Sequence, residues 1–530
     1  MNGPHERNAG WWYLDRHLGL DTADAVCLIS EEGELTYREL HGRVCRFARV
    51  LTEGGVRRGD RVVLVLPDTV AFVATVLAAM RMGAAPVPIA PLLTLDEQRH
   101  VIEDCAPSAV LLEDPEGELA ADFHERFPGT ALWSRGPGDG SVRCLPAEAE
   151  AAEPLETAPV GGGEDPALFQ YTSGSTGRSK GVVHAHRGLL AFAEGVVRRL
   201  GLTRRDRFLS MAKMPFGYGF GNSLLMPFAV GGSAVITERR SDPYAAANLL
   251  RAHRPTVFCA VPTLYAAMLA VPRATEQFDF SPVRLALSAG EHLGAGLSNR
   301  LTETFGLSMV NGLGSTECLH FFVSTEPGVS APGVTGEPVP TYEVEVLDDE
   351  GRVLPPGSMG RMRVRGPANA LGYWNRPQLT AETFRDGWFH TGDNLRYEPG
   401  AGWVYLGRDD NILNVGGGKV LTSEIEEVIL PLEGVASCAV VGVPDENELI
   451  RIVAYVVPED PRHAGTPGAP GEPGRPGDEG LRGRVMAAVR ASLPPHKRPQ
   501  RVRLVDAVPT TSTGKTARFL IRRHEMERRS

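Results

Sequence analysis

The stretch "GDRVVLVLPDTVAFVATVLAAMRMGAAPVPI", residues 59–89, decides the fold class. Its opening, "GDRVVLVLP", is a short run rich in β-branched apolar residues, the composition of a buried strand. "DTVAFVATVLAAMRMG" then has helical character and stops at Gly83, and "AAPVPI" is strand-like again. Strand, helix and strand in succession make a βαβ unit, which lays its strands parallel and covers them with helices. Similar alternations recur at "PTVFCAVPTLYAAML" (255–269) and "VRLALSAGEHLGAGLSNRLTETFGLSMVNGLGSTE" (283–317), so layered parallel sheets are expected. Ligands in such sheets collect beyond the carboxyl ends of strands. "SAGE" (288–291) and "NGLGSTE" (311–317) both follow apolar runs directly, which points to one cleft.

Composition bounds the rest. A chain of 530 residues exceeds the size at which one core keeps growing, so two or more domains are expected. Net charge of −10 argues against a nucleic-acid partner on bulk electrostatics. The seven cysteines (27, 45, 105, 144, 259, 318 and 438) are scattered without a Cys-x-x-Cys pair, as suits a reducing cytoplasm and neither a disulfide framework nor a zinc site. The polar start, "MNGPHERNAGWWYLDRHL", lacks the apolar run of a signal peptide. The longest apolar stretch, Val70 to Met80, is about half of what a bilayer requires and reads as a buried helix, so no membrane association is expected.

From about Val334 the texture shifts to short strands with Gly/Pro turns, a small β-rich subdomain. After "VYLGRDD" (404–410) a smaller α/β unit is expected, with a helix starting in "TSEIEEVIL" and strands in "ASCAVVGVP" and "LIRIVAYVVP". Residues 460–480 are Pro/Gly-rich and read as a flexible surface loop.

"YTSGSTGRSK" (171–180) has the glycines, hydroxyls and cation of a phosphate loop, but not the Walker A register: Gly174 is followed four residues on by Ser179, and Lys180 by Gly181. Gly514-Lys515-Thr516 supplies the Walker ending, yet Pro509 stands where the first glycine is needed. Freed backbone N–H groups, hydroxyls and one lysine still suit a polyphosphate.

Taken in order, "YTSGSTGRSKGVVH", "GSTE" (314–317), "HTGD" (390–393), "GRDDNILNVGGGKVLTSEIEE" (407–427) and "PTTSTGKTAR" (509–518) resemble the adenylate-forming superfamily of acyl-CoA synthetases, luciferases and peptide-synthetase adenylation domains. The resemblance implies an α/β fold: a large N-terminal domain, 1–408, of layered sheets and helices with a small β-rich subdomain, and a mobile smaller α+β C-terminal domain, 411–530. The hinge would lie at 409–410, with Asp410 at the pivot. It implies ATP, Mg²⁺ and coenzyme A, and chemistry in which a carboxylate attacks the α-phosphate, pyrophosphate leaves, and a thiol takes the acyl group from acyl-AMP. Two anions meet in the first step, so cations and N–H donors must offset charge at phosphorus.

On that resemblance Thr172, Ser173, Gly174, Ser175, Thr176, Gly177 and Lys180 would cradle the β- and γ-phosphates. Thr316 would touch the α-phosphate and Glu317 would hold Mg²⁺. Ala289, Gly290, Glu291, Asn311, Gly312, Leu313 and Gly314 would border the adenine, while Asp393, helped by Arg408, would take the ribose hydroxyls. Lys515 would be the cation of the first half-reaction, and the Asn414–Lys419 loop would replace it for thioester formation.

"PFGYGFGNSLLMPFAVGG" (215–232) and "GSTECLHFFVS" (314–324) look specifically like benzoate and hydroxybenzoate CoA ligases. Gly217, Tyr218, Phe220, Gly314, His320 and Phe321 would line the acid pocket, Gly217 leaving room for a small ring substituent and His320 orienting the carboxylate. A hydroxy- or aminobenzoate is the expected acid. Free coenzyme A is the leading acceptor because the chain ends soon after the lysine motif; a separate carrier protein is the alternative.

Overall fold

The computed structural model describes residues 7–113, 119–120, 123, 126–127, 129–136, 142–172, 178–329, 331–408, 412–415, 418–445, 450–459, 478–510 and 516–527, with backbone alone at 412, 414, 418–419 and 478–479. The chain divides into two compact units, one of residues 1–345, 363–391 and 401–403, the other of 346–362, 392–400 and 404–530.

The βαβ unit forms as read. Arg61–Val65 and Ala85–Ile89 pair in parallel around the helix Val70–Arg81, whose first turn is capped by Thr69 accepting from the Phe72 N–H at 3.0 Å. Every residue of that helix is buried, which accounts for its lack of a polar face. These strands open an all-parallel five-stranded sheet continued by Ala109–Leu112, Ala131–Ser134 and Arg143–Cys144.

A second, nine-stranded sheet carries the other alternations. Its centre runs Met309–Gly314, Leu285–Ser288, Val257–Ala260, Arg207–Ser210, Ser233–Val235 and Val26–Ser30, all parallel, with antiparallel edges. Leu285–Ser288 and Met309–Gly314 are direct neighbours, Ser288 opposite Asn311, so the "SAGE" and "GSTE" loops leave adjoining strand ends as expected. A third, antiparallel sheet of Pro166–Thr172, Lys180–Ala185 and Gly372–Tyr373 carries the ends of the phosphate-loop segment.

The β-rich segment comprises Glu343–Leu347, Met359–Arg365, Phe384–Arg385, Trp388–Glu398 and Gly402–Arg408, its residues shared between the two units. The smaller unit adds a sheet of Val435–Pro444, Ile450–Pro458 and Arg501–Leu504. The helices Thr422–Ile429 and Asp478–Ser492 close its core over Val440, Ile452, Ala454 and Val456.

Candidate active site

Site-bearing side chains of the larger unit gather around the tight turn after Met309–Gly314. Thr316–Cys318 is a single 3-10 turn, and Leu319 beyond it takes φ +71°, a conformation costly for a branched residue and held here by two hydrogen bonds to the preceding peptide group. Those bonds are Leu319 N–H to Thr316 O at 2.9 Å and Tyr342 Oη–H to Cys318 O at 3.0 Å. Gly314 is glycine because a Cβ there would lie 2.6 Å from the His320 carbonyl oxygen, so that position serves the turn's own closure.

Glu317 is buried and anchored at both oxygens. Tyr373 Oη donates to Oε1 at 2.7 Å, and Ser315 Oγ donates to Oε2 while accepting the Glu317 N–H. Lys180 Nζ stands 3.8 Å from Oε1 and 3.8 Å from the centre of the Tyr373 ring. Lys180 pairs across the hairpin with Thr172, so the two described ends of the phosphate-loop segment are neighbours. Ser173, Gly174, Ser175, Thr176 and Gly177 lie outside the described residues. In the sequence, an aromatic in "GYWN" carries no signal that the Tyr373 hydroxyl fixes a carboxylate.

Ala289 is buried and Gly290 exposed at φ +86°. Glu291 Oε2 accepts from the Thr263 N–H at 3.0 Å and from Thr263 Oγ at 2.6 Å, fastening its loop to the first turn of Pro262–Leu269. Asn311 Nδ2 donates to Val334 O at 2.9 Å. Gly312 makes room for Phe321, whose ring atoms would stand 3.1 Å from a Cβ there, and Leu313 is half-buried.

The helix Gly217–Phe220 runs directly into a π-helical turn, Gly221–Leu225, and on into Met226–Val230. Such wide turns recur at functional sites. His320 packs on this segment: its Nε2 faces Tyr218 O at 3.1 Å and Asn222 Oδ1 at 3.2 Å, both acceptors, so Nε2 carries the proton. Gly221 makes that approach possible, since a Cβ would fall 2.4 Å from His320 Cδ2. The ring is enclosed by Phe192, Tyr218 and Phe321, and burial pushes its pKa down to about 3. His320 is therefore a neutral imidazole whose Nδ1 has no hydrogen-bond partner among the described residues and offers a lone pair.

Two expectations are corrected here. A lone pair at Nδ1 repels a carboxylate, so His320 suits a hydrogen-bond donor on the substrate, and does not orient the carboxylate. The room expected beside Gly217 is already filled: a Cβ would stand 2.9 Å from Leu319 O and 3.2 Å from Gln170 Oε1. Phe220 and Phe321 are buried at 0% and 2% exposure, packing as much as lining. Cys318 is also fully buried, with Sγ directed at Asn369 Oδ1 at 3.4 Å, and is no exposed nucleophile.

In the smaller unit Asp393 is buried, with Arg408 Nη1 at 3.5 Å from its Oδ1. Lys419 lies opposite Asn414 in the hairpin Ile412–Val415/Gly418–Leu421, where only backbone is described. Asp410, Lys515 and most of 460–480 lie outside the described residues, although Thr510 and Thr516 pair across the lysine segment. Among the described residues no helix is long and apolar enough to cross a membrane.

Comparisons with known proteins identify the family. The AMP-binding enzyme family model matches residues 16–374, and the model of the AMP-binding enzyme C-terminal domain matches 424–515. The benzoate–CoA ligase of Thauera aromatica is 35% identical over 98% of this chain and 96% of its own length. The 4-hydroxybenzoate–CoA/benzoate–CoA ligase of Rhodopseudomonas palustris is 34% identical over 97% and 94%. Among solved structures, an anthranilate CoA ligase in complex with anthranoyl-AMP matches with TM-score 0.88 at 29% identity, covering 98% of each chain. A benzoate CoA ligase from Burkholderia xenovorans matches with TM-score 0.85 at 34% identity over 97% of this chain and 100% of that one. Matched along most of its length, the chain belongs to the AMP-binding enzyme family.

Proposed function

We propose that the protein is an AMP-forming aryl-CoA ligase: it activates a benzoate-type acid with ATP to acyl-AMP and transfers the acyl group to coenzyme A. The observation that supports this reading is that Gly217 abuts Leu319 O and His320 faces Tyr218 O, so the residues proposed for the acid pocket adjoin the turn bearing Thr316 and Glu317. The end-to-end similarity to aryl-CoA ligases supports the same class of substrate.

In the first half-reaction the carboxylate oxygen bonds to the α-phosphorus and the bond to pyrophosphate breaks. In the second, the thiolate of coenzyme A bonds to the acyl carbon and AMP departs. Thr316 contacts the α-phosphate, Thr172 and Lys180 flank the outer phosphates, and Lys515 brings positive charge to the first step. Asp393, with Arg408, accepts from the ribose hydroxyls. Lys419 and its loop act in the second step, after the C-terminal domain turns about Asp410.

Glu317 fits a magnesium ligand: each carboxylate oxygen holds one fixed donor and keeps a lone pair, and Mg²⁺ is commonly bound through one or two carboxylates plus substrate phosphates. When bound, the ion offsets charge on the polyphosphate. A chain of free thiols consuming ATP and coenzyme A suits the cytoplasm.

The test is AMP release with ATP and coenzyme A across benzoate, hydroxy- and aminobenzoates, acetate and palmitate. Aryl acids are expected to lead in kcat/KM. Preference for an aliphatic acid, or transfer to a phosphopantetheinyl carrier protein in place of coenzyme A, would overturn the assignment.

A further inference from the structure

Gln170 lies within the strand Pro166–Thr172 and is 1% exposed, yet among the described residues neither Oε1 nor Nε2 has a hydrogen-bond partner. Burying an unpaired carboxamide is costly, and most buried polar groups in native proteins are paired. Gln98, also buried, follows that rule by donating to Pro91 O and Leu93 O.

The placement of Gln170 is specific. In the hairpin register Gln170 stands opposite Val182 and Thr172 opposite Lys180, so Gln170 shares a face with the ends of the phosphate-loop segment. The opposite face, bearing Phe169, Tyr171 and Val183, packs into the core of the five-stranded sheet. Its amide oxygen comes within 3.2 Å of where a Cβ of Gly217 would be, and the His320 ring within 2.4 Å of where a Cβ of Gly221 would be. Gly217 and Gly221 are four residues apart on one helical run, about one turn. Two buried hydrogen-bonding groups without partners among the described residues, the Gln170 amide and His320 Nδ1, thus approach one helix face at neighbouring turns.

Resting on the aryl-acid reading above, we propose that Gln170 is a specificity-determining residue of the acid pocket, its carboxamide hydrogen-bonding a hydroxyl or amino group on the substrate ring. The two substituents share the needed chemistry: each donates and accepts, matching an amide that does both and a neutral imidazole nitrogen that accepts. Unsubstituted benzoate leaves the amide unpaired, and a site built to bond a substrate hydroxyl discriminates strongly against an analogue without it.

The experiment compares wild-type protein with Gln170→Met, a substitution of similar length without the amide. It reads kcat/KM for AMP release with benzoate and with ring-hydroxylated, aminated, methylated and fluorinated benzoates at each position. In the wild type, the best hydroxy- or aminobenzoate is expected to exceed the methyl and fluoro analogues at the same position by about tenfold or more. Gln170→Met is expected to lower the ratio of that substrate to benzoate by about 10–100-fold. An unchanged ratio, or a parallel fall on all acids as from a contact to the carboxylate, overturns the proposal. Equal wild-type rates with methyl and hydroxyl analogues overturn it whether or not the variant folds. No AMP release by wild type with any aryl acid would sink the ligase reading as well; release that ignores Gln170 would sink this proposal alone.

Discussion

Lys180 stands between the Glu317 carboxylate and the face of Tyr373, so its charge is already engaged before any phosphate arrives. A lysine so held is a poor candidate for the group that swings in to offset charge on the transition state. That role is the one proposed for Lys515 in "TTSTGKTA". Lys515→Ala is expected to slow adenylation by about 10²–10³-fold, as for removal of a preorganised electrostatic group. Thioester formation from supplied acyl-AMP should largely survive. Rapid-quench measurement of the two half-reactions separates these outcomes, and equal loss in both would remove Lys515 from its role.

At the scale of elements, the helical run from Gly217 to Val230 carries residues proposed for the acid pocket, and Gly217, Gly219 and Gly221 are fixed by close approach. Gly217→Leu must push against the Leu319 carbonyl, which is backbone and already constrained at positive φ. The expected cost is about 1–3 kcal/mol of stability, with kcat/KM falling for benzoate and hydroxybenzoates alike. Thermal unfolding and the substrate panel check this; full stability with loss confined to substituted benzoates would restore the empty-space reading. The sequence showed Gly217 as an absence of side chain and nothing of what fills it. The parallel elements were legible because their apolar pattern is local: Arg61–Val65, Val70–Arg81 and Ala85–Ile89 form where that pattern put them. Gln170 was not legible, because one polar residue in "LFQYT" matches the ordinary alternation of a strand. Its orphaned amide emerges only when residues 217 and 319 arrive from elsewhere in the chain. The π turn was hidden too, since the five residues "GNSLL" (221–225) are too few to show a change of period.

For the molecule as a whole, buried histidines lower stability in acid, opposed in part by Asp68, which burial raises to about 6. His17, His184 and His186 are pushed down to about 4 and His320 to about 3, each chiefly by burial. In the unfolded chain they titrate near 6.5. Between those values the unfolded state binds more protons, so stability is fully present above about 6.5 and falls as pH drops toward 4. The slope approaches roughly 1.4 kcal/mol per pH unit for each histidine. His41 runs the other way: hydrogen bonds to Asp15 and Cys45 raise it to about 9, so its contribution is full below about 6.5 and fades as pH rises through 9. Denaturant midpoints from pH 4 to 9 should therefore fall steeply on the acid side, and a flat acid limb would contradict the burial of these rings. The strand Gly372–Tyr373 has a further consequence, for the protein as it is made. It pairs with Lys180–Ala185 and delivers the hydroxyl that fixes Glu317, and the AMP-binding family match closes one residue later, at 374. At about 5–20 residues per second of synthesis, the phosphate hairpin waits on the order of ten seconds or more for that third strand. A nascent chain halted before Gly372 has both partners of the Lys180–Glu317 pair but lacks the tyrosine that orders them. Nucleotide capture should accordingly begin as a late event of translation, after the first unit has emerged nearly to its end.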